Sequence, residues 1–263
     1  MFGAKSTLNL ETLLGCAPQV IIDIGDERTD TAANLDALQR QIGVPVIFLN
    51  GDVSNMEQMY RTLGVILAGK AERGEALAAF AAETVAMAAE NREKITDSER
   101  LRVMYTSGAA GLGTNAQGST QAQVLELVGA ENAIVVPDVS NRGGGNLIDL
   151  EQLYNFDPDV IVFTAGSLFD SVAADPAWQG LRAIESGRYY EVPALPYSWL
   201  SNPPSVNMLL GVWWLGNLLY PQYYSYDMTA KAQEIYQLLW GYALSDADAA
   251  VLLKNSTLRE AGA

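Results

Sequence analysis

Residues 9–22, NLETLLGCAPQVII, align without gaps on residues 149–162, DLEQLYNFDPDVIV, 140 positions later. Leu10 and Leu150, Glu11 and Glu151, Leu13 and Leu153, Pro18 and Pro158, Val20 and Val160, and Ile21 and Ile161 coincide. Each copy carries the same physical plan. Asn9 or Asp149 caps a helix by accepting from its orphan amides. A short amphipathic helix follows. Pro18 or Pro158 stops it, because proline lacks a donor and restrains its predecessor. A β-branched run, 20–22 or 160–163, then predicts a buried parallel-type strand. In this register Cys16 faces Phe156 and reads as a small buried hydrophobe between helix and strand. Leu13-Leu14-Gly15-Cys16 also has the outline of a lipoprotein cleavage site. Glu11 breaks the apolar core of roughly 7–15 residues that an export signal requires, so that reading fails.

Working outward, 43–49 predicts a second strand and 56–68 a helix. Residues 72–94, alanine-rich and laced with Glu and Arg, predict a helix ~35 Å long at 1.5 Å per residue. That is long enough to cross between two lobes. Strands follow at 101–106, 133–136 and 189–192. Helices follow at 120–128 behind a Ser119 cap, at 204–219, and through most of 229–253. Strands alternating with helices give an α/β fold with parallel-type sheets. The expected organisation is a first lobe over 1–71, a linking helix over 72–98 and a second lobe with a helical tail over 99–263.

Composition removes many function classes. The chain has 263 residues, 49% of them hydrophobic, and a formal charge of −15. That charge argues against nucleic acid and anionic membrane surfaces. The most apolar run, 206–220, is broken by Asn207, Gly211, Gly216 and Asn217 and is too short to span a bilayer. Histidine is absent and there is one cysteine. A histidine-based triad, a His-ligated zinc or haem, and an internal disulfide are therefore ruled out. No catalytic residue, resident cofactor or metal-ligand set is expected.

Three segments carry a resemblance: the 9–22 copy, NRGGGNLIDLEQLYNFDPDVIVF over 141–163, and YYEVPALPYSWLSNPPSVNMLLGVWWLGNLLYP over 189–221. The tail GYALSDADAAVLL adds to it. In this order and spacing the chain resembles the substrate-binding proteins of metal-chelate ABC importers, which take siderophores, haem or cobalamin. The resemblance implies two α/β lobes joined by one rigid helix, a ligand held between them and an extracytoplasmic location. It implies docking on a dimeric permease through one acidic residue per lobe, by position Glu11 and Glu151. Both are also first-turn glutamates that a helix dipole favours. Family members carry an export signal and further β/α units ahead of the segment that begins here at Asn9. An incomplete N-terminal lobe without a signal is therefore expected, with an exposed sheet edge that self-association could cover.

Ligands in open α/β sheets lie beyond the carboxyl ends of strands. This points to Asp26 and Arg28 after the first strand, Ser107 and Asn115 after the 101–106 strand, and Tyr197, Ser198 and Trp199 after the 189–192 strand. The loop with Asn141, Arg142 and Gly144 joins them by resemblance. Arg142 either pairs with a carboxylate, hydroxamate or oxyanion or is a solvated loop arginine. Trp199 either offers a stacking face or belongs to the core. Trp213 and Trp214 read as core. The expected ligand is a metal chelate, with a molybdate-type oxyanion as the alternative. A nucleotide-using enzyme is suggested only by Gly111-Leu112-Gly113-Thr114-Asn115-Ala116, a GxGxxA match. The helix after it begins too late for the third position to pack, and no Walker lysine follows.

Overall fold

The computed structural model describes residues 9–25, 27, 29–141, 144–201 and 204–258. In the first repeat copy, Asn9 accepts from Thr12 N at 3.0 Å and opens α1 (Leu10–Gly15). The chain then enters β1 (Ile21–Gly25). A helix that the sequence reading does not name, α2 (Thr31–Ile42), leads to β2 (Val46–Asn50), which pairs with β1 in parallel. Next come α3 (Met56–Ile66) and the linking helix α4 (Ala71–Lys94). At 24 residues, α4 is about 36 Å long. Gly74 explains how closely α3 and α4 cross: a Cβ there would stand 2.7 Å from Gly64 Cα and 2.8 Å from the Tyr60 carbonyl.

The second sheet has six strands, in the order β6-β4-β3-β7-β8 with β5 also against β3. The chain runs through β3 (Arg102–Ser107), β4 (Gly113–Thr114), α5 (Gln123–Leu127), β5 (Glu131–Asn132) and β6 (Asn146–Leu147). The second repeat copy supplies α6 (Leu150–Phe156) and β7 (Val160–Phe163). Then come α7 (Arg182–Glu185), β8 (Tyr189–Glu191), α8 (Asn207–Leu219), α9 (Met228–Trp240) and α10 (Asp246–Leu253). β5 and β7 run parallel to β3, and β8 to β7. β4 and β6 are antiparallel, so this sheet is mixed and not purely parallel. The strand expected at 133–136 is not formed: pairing falls on Glu131–Asn132 just before it, and after Ala133 N donates to Val103 O at 2.9 Å the chain turns away, with Ile134 O accepting from Gln117 N. Ser119 makes no side-chain cap bond, and the turn after it is 3-10 before α5 begins.

The two repeat copies share their backbone closely. Asp149 caps α6 by accepting from Gln152 N at 2.8 Å, the counterpart of the Asn9 cap. Ala17 (φ 47°) and Asp157 (φ 37°) are the non-glycine residues with left-handed backbone among those described, and they occupy equivalent positions. Both end a helix just before the proline, where the next turn is forbidden. Phe156 is half-buried, but Cys16 is exposed and its thiol only reaches Thr12 O at 3.4 Å. The expected burial of Cys16 is thus corrected: among the described residues α1 has no buried member.

The core is continuous through α4. Leu49, Val53, Met56 and Tyr60 of the first half join Phe80, Ala81 and Ala88 of α4 and the apolar face of α8 in one cluster. Trp213 Nε1 of α8 donates to Thr84 Oγ1 of α4 at 2.9 Å, and Trp214 Nε1 donates to Ser256 O at 2.7 Å. Both indoles are core, as the helical spacing suggests. Strands β3 and β7 alternate faces with the period of two that strands impose. Val103, Tyr105, Val160 and Val162 face this cluster, whereas Met104, Ile161 and Phe163 face a second one with Trp178 and Leu181. No helix of the described residues is long and apolar enough to cross a membrane.

Candidate functional site

β2 ends at Asn50, whose side chain turns the chain by accepting from Asp52 N at 2.9 Å. This end of the first sheet faces α5 of the second half. Gln123, the first residue of α5, closes the gap with one amide group. Its Oε1 accepts from Val53 N at 3.0 Å and its Nε2 donates to Asp52 Oδ1 at 2.8 Å.

Around this clasp lies a cavity of about 630 Å³. The first half of the chain contributes Glu27, Asn50, Asp52 and Ser54. The second half contributes the 118–120 turn, Gln123, Glu126 and Asn141, and α4 contributes Arg92 near its C-terminal end. Two of the three carboxylates already serve the protein. Asp52 accepts from Gln123, and Glu126 Oε1 accepts from Gly118 N at 2.8 Å. Asn141 braces the turn from the other side: its Oδ1 accepts from Thr120 N at 2.9 Å and its carbonyl from Gln121 Nε2 at 3.2 Å. Ser119 is 1% exposed, and its hydroxyl has no partner among the described residues. A buried hydroxyl without a protein partner is uncommon, and Ser119 shares this with the Gln121 Oε1 beside it. Among the described residues no cluster of three acidic or cysteine side chains is placed to hold a metal ion.

The candidate residues read from sequence scatter around this cavity. Asp26, Arg28 and Arg142 lie outside the described residues. Glu27, between the first two, lines the cavity, and so does Asn141. Gly144 is exposed with φ 94° and is not part of the lining. Ser107 and Asn115 are buried because the chain reverses between β3 and β4, pairing Ser107 with Gly113. Tyr197 is exposed away from the lining, and Ser198 Oγ sits 3.5 Å from the Tyr105 hydroxyl. Trp199 is fully buried; its Nε1 donates to Leu195 O at 3.1 Å and its ring packs near Tyr236. It belongs to the core and presents no face to a ligand. The Gly111–Ala116 stretch is a hairpin and not a strand-to-helix turn, which removes the dinucleotide reading.

The sequence reading missed Asn50, Asp52, Ser54, Arg92, Ser119 and Gln123 as cavity residues. The rule that ligands lie beyond strand ends applies to 50–54 directly, because those residues follow β2. Arg92 carries no such signal, since a basic residue near a helix C-terminus satisfies the dipole alone. Glu11 and Glu151 are exposed, each the second residue of its helix.

Residues 1–195 match the family described as periplasmic binding protein. No curated protein matches the chain. Among solved structures, an ABC transporter solute binding protein from Sulfurospirillum deleyianum is 29% identical, with a TM-score of 0.87 over 96% of this chain and 77% of that one. A periplasmic solute binding protein from Veillonella parvula is 21% identical, with a TM-score of 0.76 over 95% of this chain and 75% of that one. The Haemophilus influenzae periplasmic binding protein MolA, bound to molybdate, is 19% identical, with a TM-score of 0.71 over 93% of this chain and 79% of that one.

Proposed function

The chain belongs to the periplasmic binding protein family, and from that premise we propose that it captures a metal chelate between its two sheets for delivery to an ABC permease. Family members are extracytoplasmic binding proteins of transport systems, not enzymes. The observation that carries the ligand class is the cavity of about 630 Å³ between the end of β2 and α5. That volume falls in the roughly 300–1,000 Å³ range of sites for small organic ligands. Its lining is mainly polar, which suits the oxygen-rich surface of an iron–siderophore complex. Arg92 is the cation of the lining that would address it, with Ser119 beside it in the 118–120 turn. Glu27, flanked by Asp26 and Arg28, contributes from the opposite side.

In this reading residues 1–71 and 99–263 act as lobes around the 72–98 link. The core shared through α4 keeps their relative motion small, and the Gln123 clasp onto Asp52 and Val53 ties the two lobes together. Glu11 and Glu151 then meet one basic pocket each on the permease.

The second reading is an oxyanion, favoured by the likeness to MolA bound to molybdate. Three carboxylates against one arginine among the described lining residues weigh against a free anion. Melting curves with ferric hydroxamate, ferric catecholate, haem, cobalamin and molybdate separate the two. A chelate should raise Tm, and a ligand at a hundred times its Kd stabilises by about 2.7 kcal/mol. A rise with molybdate alone selects the oxyanion reading, and no rise with any compound overturns the capture proposal.

A further inference from the structure

The internal repeat places more than a glutamate on each lobe. Glu11 is followed one helical turn later by Leu14, and Glu151 by Tyr154, at equivalent positions of the two copies. Residues three apart on a helix are neighbours on its surface. Both partners are large apolar side chains left exposed, Leu14 at 46% and Tyr154 at 41%. The buried member of each motif behaves differently: Leu153 is fully buried while Leu13 is half-buried. Exposure at 14 and 154 is therefore common to both copies even where burial of the motif is not. The Tyr154 ring is held in place, since its hydroxyl donates to Ala177 O at 3.1 Å. On α6 Leu150, 41% exposed, is one turn from Tyr154 and adds to the apolar surface beside it. Glu11 and Glu151 have no ion pair among those the structure shows.

We propose that each carboxylate and the apolar side chain one turn beyond it form a single docking element, Glu11 with Leu14 and Glu151 with Tyr154. The partner is a two-fold symmetric permease with a basic group beside an apolar hollow in each subunit. A duplicated patch on one chain matches a partner that presents one surface twice. The carboxylate steers the encounter and fixes register, whereas the apolar knob slows dissociation by leaving water. This inference rests on the docking reading given above and adds the second half of each contact. The second lobe, with Leu150 one turn from Tyr154 and the Tyr154 ring anchored on Ala177, holds the stronger of the two elements.

The test uses the full chain and the cognate permease dimer in lipid nanodiscs, with binding followed at several salt concentrations. Leu14→Ser and Tyr154→Ser should each weaken Kd about 5- to 10-fold by faster dissociation, in line with loss of part of a buried apolar side chain. The slope of log Kd against log salt should stay unchanged. Glu11→Gln and Glu151→Gln should weaken binding mainly at low salt and flatten that slope. Val251→Ser, an equally exposed apolar residue on α10, is the control and should leave Kd unchanged. Serine variants within two-fold of wild type, beside weakened glutamine variants, overturn the knob proposal and leave the docking glutamates standing. Glutamine variants that bind like wild type overturn the docking reading itself. Unchanged melting curves confirm that the exposed substitutions leave the fold intact.

Discussion

Strands β1 and β7 are written in nearly the same letters and sit in different surroundings. β1 pairs with β2 alone among the described strands, and its Asp23 and Ile24 are exposed. β7 lies between β3 and β8, and all four of its residues are buried. The cap, the helix stop and the left-handed turn recur in both copies because they are decided by adjacent residues. Burial does not recur, because it depends on what the rest of the chain lays over each face. The difference teaches that the repeat encodes a local step, while the context of the sheet determines its energetic weight.

The sharpest way to break this comparison is to truncate the paired isoleucines. Ile161→Ala should cost about 2–5 kcal/mol, the range for emptying a filled core site. Ile21→Ala, half-buried, should cost under about 1 kcal/mol. Urea unfolding of both variants checks this, and equal losses would mean the two sheets are equally packed.

The contact between α3 and α4 supports the first sheet where burial is thin. Gly74→Ala should destabilise by about 1–3 kcal/mol through overpacking against Gly64, read from the same urea curves.

Buried tyrosines sharpen the contrast between the halves. Burial pushes the Tyr236 hydroxyl up to about 12, and burial pushes Tyr224 and Tyr226 of the second half and Tyr60 of the first higher still. A tyrosine that ionises later when folded stabilises fully below its unfolded value of about 10, and that contribution is lost as pH rises through the folded value. Stability should therefore be flat from pH 7 to 9 and fall from pH 10 to 12. An ultraviolet titration should show these four ionising only as the chain unfolds. Tyr223, half-buried, is also raised, first by its bond to Glu99.

The smallest effect belongs to Cys16. Cys16→Ser should change stability by under about 0.5 kcal/mol. The native thiol should react with a disulfide reagent nearly as fast as the unfolded one. Slow labelling would mean that the first copy is covered after all.

The order of helices and strands was largely legible because caps, prolines and β-branched runs act over a few residues. α2 was missed although Leu35, Leu38 and Ile42 keep helical spacing in TAANLDALQRQI, because few large apolar residues mark it and only Ile42 is buried. The 133–136 strand was over-read because a run such as Ala133-Ile134-Val135-Val136 is apolar for packing, with Ile134 buried, and not for pairing. The site was less legible. Strand-end logic found the neighbourhood of Glu27 and the resemblance that of Asn141, but neither found the 50–54 turn, Arg92 or Gln123. Those residues meet only after α4 has fixed the spacing of two sheets, and Gln123 reaches Val53 across 70 positions. Trp199 kept two readings because an aromatic after a strand reads alike whether it faces a ligand or the core, and its full burial favours the core.

Hydrogen–deuterium exchange with and without a ferric siderophore complex at saturation tests the cleft most directly. Protection should concentrate at 50–54, 118–123 and 141, with Arg92 at the edge of the protected surface. No protection there, or protection confined to the far side around Arg182 and Arg188, would contradict a ligand held between the two sheets.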